Sequence, residues 1–152
     1  MKKYSGLFFL LIALTSCTVS KPPPPGIEVP GEDPDKTILP DRKTSPAVVN
    51  LLNSAREATK QGDYARAEVL LERTVRIEPR NAVLWHYLAK LRLHQGRYKD
   101  AIGLASKSSD LSRGDNRLRA DNWRIIAHAR YRSGDENGAR KAQQNADRLS
   151  TE

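Results

Sequence analysis

Gly62-Asp63-Tyr64-Ala65-Arg66-Ala67 returns 34 residues later as Gly96-Arg97-Tyr98-Lys99-Asp100-Ala101, and a looser copy, Gly134-Asp135-Glu136-Asn137-Gly138-Ala139, follows after a further 38. Upstream of each glycine the copies agree again. Trp85-x-x-Leu88-Ala89-x-x-Arg92 matches Trp123-x-x-Ile126-Ala127-x-x-Arg130, and the first copy has Leu51-x-x-Ser54-Ala55-x-x-Ala58 there. Self-similarity at a fixed period of this length marks a helical-repeat array, since each unit cannot bury its own apolar face and must stack on a neighbour. The expected fold is all-α: a short solenoid of about three helix-turn-helix units, at about 48–81, 82–115 and 120–152 within a domain spanning 47–152.

Local patterning agrees with the period. Between Ala47 and Lys60 the apolar groups fall at Val48, Leu51, Leu52, Ala55 and Ala58, the three-and-four spacing of one helix face. Ser45-Pro46 supplies an N-cap and a first-turn proline. Gly62-Asp63 ends that helix and caps the next, where Tyr64, Ala67, Leu70, Leu71, Val75 and Ile77 form a second stripe. Alanines 55, 67, 89, 101, 127 and 139 recur where the two helices of a unit cross, and small side chains there let backbones approach. Tyr64, Tyr98, Trp85 and Trp123 are expected to fill the gaps between units, with both tryptophans buried. The last helix, Glu136 to Leu149, has a thin stripe of Ala139, Ala142, Ala146 and Leu149 and carries Gly138. Its Gln143, Gln144, Asn145 and Arg148 suit a polar outer face that ends the stack in water. Four extra residues around Ser112-Arg113-Gly114-Asp115-Asn116 lengthen either a loop or the next helix.

These residues resemble the tetratricopeptide repeat family, whose unit is a Trp-x-x-Leu-Gly-x-x-Tyr helix, a Gly turn, an Ala-bearing second helix and a closing Pro. Pro79 closes the first unit. Arg113 stands where the second closing Pro would be, and Glu136 replaces the Tyr of the third. The resemblance implies a concave surface lined by the first helix of each unit. The residues off the apolar stripe of those helices are Arg56 and Lys60, then His86, Lys90 and His94, then Arg124, His128 and Arg132. Four-residue spacing puts each trio on one ridge, so a cationic partner-binding groove is expected.

The amino terminus carries a separate signal. Lys2-Lys3, the apolar run Leu7–Leu14 and Leu14-Thr15-Ser16-Cys17 form an export signal with a small-residue processing site. The uncharged stretch from Tyr4 to Ser16 is shorter than the roughly 20 residues a membrane-spanning helix needs. Its last four residues resemble the bacterial lipobox, which implies cleavage before Cys17 and acylation of that residue. Cys17 is the single cysteine of the 152 residues, so no disulfide can form within a monomer. Thr18 in place of Asp after it implies, by the same resemblance, sorting to the outer membrane, with the domain facing the periplasm.

Residues 18–46 hold eight of the nine prolines, including Pro22 to Pro25, and are expected to form a disordered tether. Its reach would lie between about 30 Å as a coil and about 90 Å fully extended. Charge sits beyond it: Val48 to Glu152 has 20 basic and 13 acidic residues, most of the net +8. In an exported, anchored protein that charge points to acidic protein surfaces, cell-wall polymers or lipid head groups rather than nucleic acid.

Chemistry is not legible in the residues. His86 and His94 would stand about 12 Å apart along a helix, too far to share one ion, and there is no phosphate loop or nucleophile elbow. No enzyme activity, cofactor or metal is expected. The short signal, Pro-rich segment and compact repeat domain, with Trp85-His86-Tyr87-Leu88-Ala89 and Asn122-Trp123-Arg124-Ile125-Ile126-Ala127, look like the small lipoproteins that activate bifunctional penicillin-binding proteins. That resemblance implies an outer-membrane adaptor with a class A penicillin-binding protein as partner. An assembly factor for an envelope machine (pilotin-like or barrel-assembly-like) and an anionic-glycan-binding module are the alternatives.

Overall fold

The computed structural model describes Ile38 and residues 42–151, so the export signal, Cys17 and most of the proline-rich segment lie outside the described residues. Six helices follow one another: α1 (Pro46–Lys60), α2 (Tyr64–Ile77), α3 (Ala82–His94), α4 (Tyr98–Leu111), α5 (Asn116–Arg132) and α6 (Glu136–Thr151). There is no strand among the described residues. The all-α repeat reading therefore holds, and the third unit is as fully formed as the others.

The repeated glycine explains the tight turn inside each unit. Gly62, Gly96 and Gly134 take φ of +75°, +73° and +91°, a left-handed conformation that costs glycine little and other residues more. Asp63 then accepts a hydrogen bond from the Arg66 amide at 3.0 Å, capping α2 as expected, and Asp135 caps α6 in the same way, accepting from the Gly138 amide at 2.8 Å. Gly138 itself has a local reason. A Cβ there would run into the Asp135 carboxylate and the Arg130 guanidinium, so the cap needs the missing side chain.

Ser45 departs from its expected role. It makes no cap bond to α1; instead its amide and hydroxyl both donate to Glu78 at the end of α2, at 2.9 and 2.8 Å. Asn81, the cap of α3, donates to Glu78 at 2.9 Å and to Thr44 Oγ1 at 2.9 Å. Further upstream, the Tyr87 hydroxyl donates to the Ile38 carbonyl at 2.8 Å, and the Ile38 side chain joins the core beside Val48, Leu52 and Leu84. The end of the expected 18–46 tether is thus part of the folded unit, because one isoleucine is enough to reach the α1–α3 seam.

Units stack in two layers. The first helices form the inner layer and the second helices the outer: α3 lies directly on α5 and Arg56 of α1 reaches the Tyr87 ring of α3, while no comparable contact joins α2 to α4 or α4 to α6. Two cores result. One runs from Leu52 and Leu71 to Leu84, Leu88 and Leu118; the other is alanine-rich, from Ala89, Ala101 and Ala105 to Ile125, Ala127 and Ala139. All six crossing alanines are no more than 1% exposed. Ile77, expected on the α2 stripe, is instead 49% exposed.

The insertion before the third unit lengthens a helix and not a loop. α5 has 17 residues against 13 in α3, while the connections before α3 and before α5 have the same length. The added turn supplies Leu118, buried against the first core, and Asp115, which caps the helix through the Leu118 amide at 2.9 Å.

Both tryptophans are half-buried, less than the sequence suggested. Trp85 packs on the first core and donates from Nε1 to the Pro79 carbonyl at 2.8 Å, which ties it to the turn between units. Trp123 packs on the second. Trp85→Ala should therefore cost about 3 kcal/mol, the low end for a large aromatic truncation. Urea melts at constant m-value read this directly, and a change below about 1 kcal/mol would show that the ring does not hold the units together.

Candidate functional site

The inner layer gathers most of the expected cations but arranges them unequally. On α1, Arg56 is half-buried with its guanidinium carbon 5.6 Å from the centre of the Tyr87 ring, and Lys60 is exposed in the last turn. On α3, Lys90 Nζ lies 6.0 Å from the same ring. Tyr87, which the periodicity did not single out, is thus flanked by two cations, an arrangement the ring quadrupole favours. Burial pushes its hydroxyl above the usual phenol range, Asp121 adds to this, and Arg56 opposes it.

Toward the turns, aromatic and basic groups pair in the same register. The His94 ring stacks on Tyr64 at 6.3 Å, and the Arg132 guanidinium lies 5.8 Å from the Tyr98 ring. In each case the tyrosine opens the second helix of one unit and the basic residue ends the first helix of the next. Partial burial holds His94 below the ordinary imidazole range, and the nearby Lys90 charge adds to this, although the residue keeps an exposed edge. Arg124 donates to Ser150 Oγ on α6 at 3.0 Å, and both it and His128 are half-buried.

His86 is a correction. It is 1% exposed and does not face a partner. The Ser108 hydroxyl donates to the Ala82 carbonyl at 2.9 Å, so it accepts from Asn122 Nδ2 at 2.8 Å. That turns the Asn122 carbonyl oxygen to His86 Nδ1 at 2.9 Å, while Asp121 Oδ2 lies 3.1 Å from Nε2. Both ring nitrogens face acceptors, and only an imidazolium donates to both. The ring thus bridges Asn122 and Asp121 and joins α3 to α5. Burial alone would raise the Asp121 pKa, but the His86 hydrogen bond and the charges of His86, Lys90 and Arg124 outweigh it and hold the carboxyl below its usual range. Burial likewise lowers the Lys90 pKa; Asp121 opposes that and Arg56 adds to it.

A buried ion pair was also hidden. Arg92, aligned with the family's tyrosine position, is 6% exposed and pairs with Glu68 at 2.6 Å and Glu72 at 3.2 Å, joining α2 to α3. Its hydrogen bond is the main cause holding the Glu68 carboxyl below the usual range.

What remains toward a partner is a band of Arg56, Lys60, Lys90, His94 and Arg132 with tyrosine rings beneath several of the charges. Such a band can take carboxylates or other anions. No group of three His, Cys, Asp or Glu side chains among the described residues could hold a metal, and no helix there is long and apolar enough to cross a membrane.

Comparison with known proteins places this geometry. The tetratricopeptide repeat family matches residues 58–120. Among solved structures, the globular C-terminal domain of P. aeruginosa LpoP is similar at 35% sequence identity and a TM-score of 0.66, over 68% of this chain and 97% of that one. The N-terminal domain of stress-induced protein-1 (STI-1) from C. elegans is similar at 15% identity and a TM-score of 0.60, over 72% of this chain and 99% of that one, a likeness of fold. No curated protein sequence matches the chain.

Proposed function

Because the chain belongs to the tetratricopeptide repeat family, with the globular domain of LpoP as a relative, we propose that it is an outer-membrane-anchored adaptor that activates a class A penicillin-binding protein from the periplasmic side. The observation that carries this is the 35% identity over nearly the whole LpoP domain. A bare helical-repeat likeness would support protein binding and no more.

In this reading Cys17 carries the lipid and the proline-rich segment spans from the membrane to the repeats. Arg56, Lys60, Lys90, His94 and Arg132 form the face offered to the synthase, with His86 holding that face together from inside. The chain performs no chemistry. It raises the rate of another protein, which requires that it bind the active state of the synthase more tightly than the resting one. A coupling of about 1–3 kcal/mol corresponds to roughly 5–150-fold, so the expected effect is several-fold or more.

The test is glycan-strand polymerisation by a purified class A penicillin-binding protein from the same envelope, with and without the chain. The rate should rise several-fold and saturate as the chain is added. An unchanged rate at saturating chain, with no binding by surface plasmon resonance, would remove the proposal.

A further inference from the structure

Away from the groove, α2 presents a face that the adaptor reading does not use. Arg66, Val69, Arg73, Arg76 and Ile77 are all exposed. At about 100° per residue they fall within an arc of about 100° on one side of the helix. Val69, 64% exposed, and Ile77, 49% exposed, are the exposed large hydrophobic residues among the described residues, and both lie on this one face. They stand two turns apart, about 12 Å along the axis.

The arginines around them are not committed elsewhere. The carboxylates of α2 are: Glu68 and Glu72 engage Arg92, Gln95 and Arg97 across the α2–α3 seam. No ion pair joins Arg66, Arg73 or Arg76 to a carboxylate among the described residues. Two aliphatic side chains set among three guanidinium groups without counter-ions make one face that is complementary in charge and shape to an acidic segment carrying aliphatic residues.

We infer that the outward face of α2 is a second docking surface, and that its occupant is an acidic segment of a partner protein with aliphatic side chains between its carboxylates. Arginine is suited to this. Its planar fork meets a carboxylate with two parallel hydrogen bonds, which a lysine cannot do. A lipid surface fits less well, since a helix that lies in a bilayer interface buries a broad apolar face there. The broad apolar face of α2, Ala67, Leu71 and Val75, is in the core. A second copy of the chain fits less well too, because the repeats carry 20 basic against 13 acidic residues and would meet like charge with like. The surface lies on the outer layer, so the chain can hold two partners at once, and the inference does not depend on which protein fills the groove.

The experiment places a photoreactive residue at Val69 or at Ile77 in the full chain in its own cells, with a third probe at Lys60 reporting the groove. Crosslinked peptides are sequenced by mass spectrometry. From Val69 and Ile77, the captured segment should come from a protein and carry aspartate or glutamate on both sides of an aliphatic residue. The R73E/R76E pair should lower that yield at least tenfold, with the Lys60 yield and the helical melt unchanged. Capture of lipid, of a second copy or of a neutral or basic segment overturns the inference. So does the absence of any crosslink, a yield indifferent to R73E/R76E, or a fall in both yields together.

Discussion

Reversing Arg56, Lys60 and Arg132 to glutamate is expected to weaken binding of an acidic partner by on the order of a hundredfold, since each exposed pair is worth up to about 1 kcal/mol and three act together. The choice follows from the geometry. Arg56 and Arg132 lie over tyrosine rings, and Lys60 and Arg132 are exposed. Lys90 is left alone because its ammonium adds to the field that stabilises Asp121, and a glutamate there would set two carboxylates against each other. Affinity should also fall with salt, as charges of this kind are screened over about 8 Å at physiological ionic strength. The control is the double reversal of Lys99 and Lys107, exposed on the outer α4. Calorimetric titration of the partner settles the matter: equal loss in control and triple, or loss in the control alone, would place recognition off the inner layer.

Removing the buried His86 ring should be the most damaging single change to the fold. His86→Ala leaves Asp121 without its partner and the Asn122 carbonyl without a donor, at a cost of about 3–5 kcal/mol. Asp121→Asn should destabilise comparably, and its effect should depend on pH in a defined direction. The folded-state pKa of Asp121 is depressed, so its contribution is fully present above the unfolded value of about 4 and is lost as pH falls through the lower folded value. The gap in unfolding free energy between wild type and Asp121→Asn should therefore close below about pH 4. A gap that stays constant from pH 6 to pH 2.5 would show that the carboxylate is not paired.

The contrast between these two sites explains what could be read from the chain. Helices, turn glycines, the Asp63 and Asp135 caps and the crossing alanines were legible because each depends on neighbours within four residues or on the 34-residue period. His86 was misread for the same reason. Its four-residue spacing to Lys90 is that of an exposed ridge, and nothing local reveals that Asp121 and Asn122, more than thirty residues later, will enclose it. A signal did exist: in the register that matches Trp123 with Trp85, Asp121-Asn122 stands where the preceding unit has Val83-Leu84, so two polar residues occupy positions that unit gives to its core and need a partner there. Arg92 misled similarly, since its alignment with a core position was visible but its counter-ions Glu68 and Glu72 come from the preceding unit. Ser45 looked like a cap because the local rule is strong, yet Glu78 offered both its amide and its hydroxyl an acceptor.

The bond from Tyr87 to the Ile38 carbonyl has a mechanical consequence. The leading segment does not enter the domain at the first residue of α1; it is fastened eight residues earlier, to the ring that lies beneath Arg56 and Lys90. If that segment is the membrane tether of the proposed function, a pull along it would arrive first at this ring and only afterwards at the helix. Tension on the tether and occupancy of the proposed cationic face would then be felt by the same side chain.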